Sequence, residues 1–159
     1  MDMVDTERYA RHISLPDVGI TGQKLIDDSR VLVVGAGGLG SPVLMYLAAA
    51  GIGHIGVVDD DAVDLSNLQR QIIHSESAIG RPKVESAKER INSINSAIKV
   101  TTWNARLSPD NAEEILCNWD IVIDGTDNIP TRYLVDDVCN MLGIPWIYGS
   151  IYRLSLIHI

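Results

Sequence analysis

Cysteine is nearly absent from this chain: Cys117 and Cys139 are the only two in 159 residues. They form no Cys-x-x-Cys pair, so neither a disulfide scaffold nor a cysteine zinc site is expected. Both thiols are expected in helices, in or near the core, in a reducing compartment, which points to the cytoplasm. Long apolar runs are missing as well. No stretch spans a bilayer, and the N-terminus lacks the charged-then-apolar order of a secretory signal. Positive charge is scarce: 13 Lys and Arg against 21 Asp and Glu leave a formal charge of −8. That balance argues against nucleic acid or an anionic membrane as a partner, although a few local cations still suffice for a small phosphate. The four histidines, His12, His54, His74 and His158, show no metal-ligand spacing and are expected to be solvated or packed.

What is present centres on residues 30–40. Val31 to Val34 form a short apolar, mostly β-branched run of the kind that makes a buried parallel strand. Gly35-x-Gly37-x-x-Gly40 follows, with Gly38 inside it, and then an apolar helical segment over 41–50. Strand, glycine turn and helix in that order suit a nucleotide phosphate: the backbone can approach closely, and the helix N-terminus offers unpaired N–H groups. A second strand over 54–59 ends at Asp59, at the distance where a ribose hydroxyl would lie.

The rest of the chain alternates helix and strand. Residues 5–15 read as a short helix with Tyr9 and Ile13 on one face and Arg8 and Arg11 on one side. A solvated arm is the plain reading of that segment. Residues 16–22 read as a loop and 23–29 as a short amphipathic turn. In the helix after the glycines, Ala48, Ala49 and Ala50 are expected against the sheet. Residues 60–81 show no period, and a loop of that length in a compact domain is expected to be functional, with short helical turns. Helices are expected over 83–95, 111–118 and 128–142, the last with Val135, Val138, Met141 and Leu142 inward. Strands are expected over 98–103, 120–124 and 145–148. The pattern predicts an α/β fold: a Rossmann-like, doubly wound, mainly parallel sheet with helices on both faces.

At the carboxyl ends of such strands the glycine loop would meet Asp59 and Asp61, then Asn67, Gln69, Arg70 and Lys83, and finally Asp127. A dinucleotide oxidoreductase needs the glycines and Asp59 but has no use for the cations and the late carboxylate. Cleavage between the α- and β-phosphates of ATP would use them, the cations on departing pyrophosphate and a carboxylate on Mg²⁺. For Asp127 a capping role stays open, because Thr126-Asp127-Asn128 precedes a helix. Asp61 and Asp124 are equally compatible with turn or cap positions.

Six motifs in order carry a family resemblance: Arg8-Tyr-Ala-Arg11, Gly35-Ala-Gly-Gly-Leu-Gly40, Asp59-Asp-Asp61, Ser66-Asn-Leu-Gln-Arg-Gln71, Gly80-Arg-Pro-Lys83 and Asp124-Gly-Thr-Asp-Asn128. Over nearly the whole chain these resemble the ThiF/MoeB/HesA enzymes, which are similar to the adenylation domains of ubiquitin-activating E1 enzymes. The resemblance implies an ATP- and Mg²⁺-dependent adenylyltransferase. Its substrate would be the C-terminal Gly-Gly carboxylate of a ubiquitin-like sulfur-carrier protein, activated as an acyl-adenylate with release of pyrophosphate on the way to molybdopterin, thiamin or thiolated tRNA. Carried over by motif, Asp59 would hold the ribose and the glycine loop the nucleotide. Asn67, Arg70 and Lys83 would grip phosphates, Asp127 would hold Mg²⁺, and Arg11 would reach the neighbouring subunit of a homodimer. Neither cysteine matches a family catalytic or zinc position, so no zinc is expected in this chain. An adenylation domain, N-terminal part, is expected over 1–153. Residues 154–159 depart from the family continuation and read as a short unrelated tail on a truncated domain. Two other readings stay open: an NAD(P)-dependent oxidoreductase on the same fold, and a non-catalytic nucleotide-binding module.

Overall fold

The computed structural model describes residues 5–152 and 155–158. Its centre is a sheet of six strands in the order β3-β2-β1-β4-β5-β6, parallel except for the last. These are β1 (Arg30–Val34), β2 (His54–Val58), β3 (Lys99–Trp103), β4 (Ile121–Asp124), β5 (Trp146–Tyr152) and β6 (Ser155–His158). β1 lies in the middle because it is apolar on both faces. Val31 and Val33 pack into one core with Leu44 and Ala48 of helix α3 (Gly40–Ala50) and Val84, Ala87 and Ile91 of helix α4 (Lys83–Ile94). Leu32 and Val34 face the other way, towards Ile115 and Leu116 of α5 (Ala112–Leu116) and Val135 and Cys139 of α6 (Ile129–Leu142). The alternation along one strand thus feeds two cores, as a doubly wound sheet requires. Strand order reverses between β1 and β4, and the crevice at that reversal is where such sheets bind ligands.

Several expectations need correction. Residues 19–22 are not loop but the start of α2 (Gly19–Asp28), so the helix runs ahead of the amphipathic turn read from 23 onwards. Only Ala10–Ile13 of the N-terminal segment is helical (α1), after a run of turns. It is no solvated arm: Tyr9 is buried, its hydroxyl accepts from Asn95 Nδ2 at 2.8 Å, and a side chain at Gly51 would collide with it. Ala48 packs inward while Ala49 is exposed, and Met141 is exposed with Cys139 in its place. In both helices the buried stripe is narrower than a run of similar residues suggests. Cys117, half-buried, ends α5. The last strand continues to Tyr152, and Ser155–His158 folds back antiparallel on it, Tyr152 opposite Ser155. Within the segment read as a tail, Ser155–His158 is strand β6, while the boundary expected at 153/154 lies outside the described residues.

The long unperiodic stretch behaves as expected. It holds two short 3₁₀ turns, Leu65–Asn67 and Glu76–Ala78, and is fastened at its ends by an Ala62–Pro82 bridge.

Candidate functional site

A cleft of about 800 Å³ opens at the carboxyl ends of β1, β2 and β4. Its floor is the glycine loop. Gly35 takes φ +95°, a left-handed turn that glycine adopts without strain, and its N–H donates to Val58 O at 2.8 Å. Gly37 and Gly38 line the cleft. Gly40, expected at the ligand, is instead buried beneath the loop, where an added Cβ would collide with the Gly35 carbonyl. It allows close packing of helix on turn, a separate use of glycine in this motif. The N-terminus of α3 receives no side-chain cap and follows directly on the loop, Ser41 N–H donating to Gly37 O at 2.9 Å.

Asp59, just past β2, holds this loop. Its Oδ2 accepts from Ala36 N–H at 2.7 Å and its Oδ1 from Asp61 N–H at 2.9 Å. Burial pushes its carboxyl above the ordinary range, opposed by those two donors and by Lys83. Each carboxylate oxygen keeps a second lone pair for a ligand hydroxyl. On the other side of the same residue, Ala36 O sits 2.9 Å from His74 Nε2.

The cations come from the long loop and α4. Arg70 lies across Gly38, its Cγ and Cδ 3.5 Å from where a Cβ there would be. The Lys83 side chain is only 5% exposed, and Nζ pairs with Asp61 Oδ2 at 2.7 Å. Asn67 ends the first 3₁₀ turn, which Asp64 caps by accepting from Ser66 N–H at 2.8 Å. All three, with Asp61 and Asp59, line the cleft.

From the β4 side comes Asp127. The capping role that remained open for it belongs to its neighbour: Asn128 Oδ1 accepts from Thr131 N–H at 3.0 Å at the start of α6. Asp127 is left exposed on the cleft wall with a free carboxylate face. Asp124 takes the turn role, its Oδ1 accepting from the Thr126 N–H and hydroxyl at 2.9 and 2.7 Å. Its burial raises its pKa.

The structure thus gathers Gly35, Gly37, Gly38, Asp59, Asp61, Asn67, Arg70, Lys83 and Asp127 at one cleft. Gly40 lies beneath it. Arg11 does not line it and is exposed on α1; Gln69, on the same loop as Arg70, also stays outside the lining. Sequence reading missed Arg106 and Arg132, which add two cations to the lining. Arg132 donates to Thr126 O at 2.7 Å and to the Tyr148 hydroxyl, so it braces the Asp127 turn. Its place one helical turn after Asn128, on the face that starts at the cleft, was the available signal. His74 was missed because nothing local distinguishes it from a packed histidine.

Fold and cleft together define a Rossmann-type doubly wound α/β domain whose cleft sets cations and carboxylates around the glycine loop. The ThiF family pattern matches residues 9–155, and the chain belongs to that family. It is 52% identical over 149 residues to a probable adenylyltransferase/sulfurtransferase, MoeZ, of Mycobacterium tuberculosis, covering 94% of this chain and 38% of that protein. It is 47% identical over 153 residues to the SAMP-activating enzyme E1 of Haloferax volcanii, covering 96% of this chain and 57% of that one. Among solved structures, E. coli tRNA N6-threonylcarbamoyladenosine dehydratase, TcdA, in complex with ATP superposes with a TM-score of 0.87 at 30% identity, over 94% of this chain and 63% of that one. The chain spans well under two thirds of the curated relatives it matches. Among the described residues no helix is long and apolar enough to cross a membrane.

Proposed function

We propose that this chain is the nucleotide-binding part of an ATP-dependent adenylyltransferase. Its substrate is the C-terminal Gly-Gly carboxylate of a ubiquitin-like sulfur-carrier protein, and its products are an acyl-adenylate and pyrophosphate. One observation carries the reading: Arg70, Lys83 and Asp127 share a single cleft with the glycine loop and Asp59. The names of the relatives, adenylyltransferase and SAMP-activating enzyme, agree with it.

In this reading Gly37 and Gly38 bring backbone against the nucleotide, and Asp59 accepts from the ribose hydroxyls. Asn67, Arg70 and Lys83 neutralise charge on the phosphates as pyrophosphate departs. Asp127 is the residue that would hold Mg²⁺, and it fits because Asn128 relieves it of the capping role. The ion would supply further neutralisation of the phosphate oxygens. The attacking carboxylate is ionised at neutral pH, so positioning and charge compensation suffice without a general base. Arg11, exposed and away from its own chain's cleft, suits a contact to a second subunit's phosphates in a homodimer.

The test is exchange of labelled pyrophosphate into ATP by the protein that carries this chain, with Mg²⁺ and a carrier ending in free Gly-Gly. Exchange should need all three components and disappear in Asp127→Ala. Full exchange in that variant would sink the proposal.

A further inference from the structure

His74 is buried, 7% exposed, and joins three separate parts of the site. Nε2 lies 2.9 Å from Ala36 O in the glycine loop, and Nδ1 lies 2.9 Å from Ser86 Oγ on α4. The residue itself belongs to the long loop that carries Asn67 and Arg70, where its N–H donates to Gln71 O at 3.1 Å. A carbonyl accepts only, so Nε2 must carry the proton towards Ala36; in the neutral ring Nδ1 then accepts from the Ser86 hydroxyl.

The consequence follows from peptide planarity. In a trans peptide the C=O and the next N–H point in opposite directions. A donor that draws the Ala36 carbonyl to one side therefore turns the Gly37 N–H to the other. Gly37 lines the cleft. On the preceding peptide Asp59 does the complementary job by accepting from the Ala36 N–H. Ser86 stands one helical turn beyond Lys83, and both are buried, so the Nδ1 contact also ties α4 to the loop.

We infer that His74 is a positioning residue for the bound nucleotide: its Nε2–H fixes the Ala36–Gly37 peptide so that the Gly37 N–H faces the cleft as a phosphate donor. The inference rests on reading the cleft as a nucleotide site. It makes no use of His74 touching the nucleotide, and assigns it no part in the chemistry.

Three measurements test it on the full chain. Long-range ¹⁵N–¹H NMR of the unliganded protein reads the tautomer, and the Nε2–H form is expected; the Nδ1–H form overturns the inference at once. Calorimetric titration with MgATP compares wild type, His74→Leu and His74→Gln. Loss of the donor in His74→Leu should weaken binding about tenfold, with the Gly37 amide resonance displaced in the free protein. Gln keeps an N–H donor at the same reach and should bind within about threefold of wild type. Gln binding as weakly as Leu overturns the inference, as does a folded His74→Leu that binds like wild type. Should the Leu variant fail to fold, the Gln variant and the tautomer decide. Wild-type protein that binds no ATP overturns the nucleotide reading itself and this inference with it, whereas the other adverse results strike the inference alone.

Discussion

The Lys83–Asp61 ion pair is buried very unequally, and the asymmetry predicts which partner is costly to remove. Lys83 is 5% exposed and Asp61 67%, with Nζ 2.7 Å from Oδ2. In Lys83→Met an apolar stem of similar length replaces the lysine's own, and Asp61 returns to water. The expected stability change is within about 1 kcal/mol. In Asp61→Ala the ammonium stays buried and loses its contact partner. Removing one half of a buried pair typically costs about 3–5 kcal/mol. Asp59, whose carboxyl senses Lys83, compensates in part. The expected cost is therefore about 2–3 kcal/mol, or roughly 5–10 °C in Tm at this chain length.

Nucleotide affinity should follow the opposite order. Lys83→Met removes a charge-assisted phosphate contact of about 1.5–3 kcal/mol, which is roughly 10- to 150-fold in Kd. Asp61→Ala keeps the ammonium and should lose less. Thermal unfolding by circular dichroism and titration with MgATP at pH 7.5 give both orders. If Lys83→Met melts as far below wild type as Asp61→Ala, or binds MgATP within threefold of wild type, the account of this pair is wrong.

Asp127 and Asn128 should separate cleanly: Asn128→Ala loses the α6 cap and about 1 kcal/mol of stability in urea unfolding, whereas Asp127→Ala unfolds like wild type and loses exchange activity. Gly40→Ala should destabilise far more than Gly38→Ala in the same assay. The first forces a methyl group against the Gly35 carbonyl, and the second meets only the flexible Arg70 stem. Acid should act through the histidines. Burial lowers the pKa of His74 and, more weakly assisted by Lys99 and Arg30, that of His54. The unfolded chain then binds more protons than the folded one below about pH 6.5. Stability is complete above that value and falls as pH drops, by up to about 1.4 kcal/mol per pH unit for the buried His74 and by less for His54, which solvent screens. Urea unfolding of His74→Gln between pH 7.5 and 5 should show a shallower fall than wild type; an equal slope would refute the assignment.

How much was legible depended on whether a feature is local in sequence. The strand, turn and helix of residues 30–50 declare themselves, because periodicity, glycine spacing and the helix start all act over a few residues. The long stretch after β2 announced itself by its lack of period, and its short helical turns followed. Errors fell where neighbours decide. Met141 looked inward by helical spacing, yet Cys139 takes the buried place against the sheet. A capping role stayed open for Asp127 because a helix follows it, and only the Thr131 N–H, which donates to Asn128, assigns the cap to its neighbour. Arg106 and His74 were invisible as site residues, and Arg132 showed only through its helical spacing from Asn128, since their roles come from distant segments meeting in space.

The glycine loop shows why that non-local part matters for function. Four glycines in six residues give the backbone room to approach a ligand, but the same freedom leaves an isolated loop without one conformation. Fixing each residue costs about 1–2 kcal/mol of backbone entropy, and a loop that ordered only on binding would subtract that from its affinity. Here the ordering is done during folding. Asp59 holds the Ala36 N–H from 23 residues away, His74 holds its carbonyl from 38 residues away, and Val58 O holds the Gly35 N–H. A motif search reports that the loop can adopt the necessary shape; those three contacts are why it already has it. Weakening any one of them should therefore cost ligand affinity before it costs the fold.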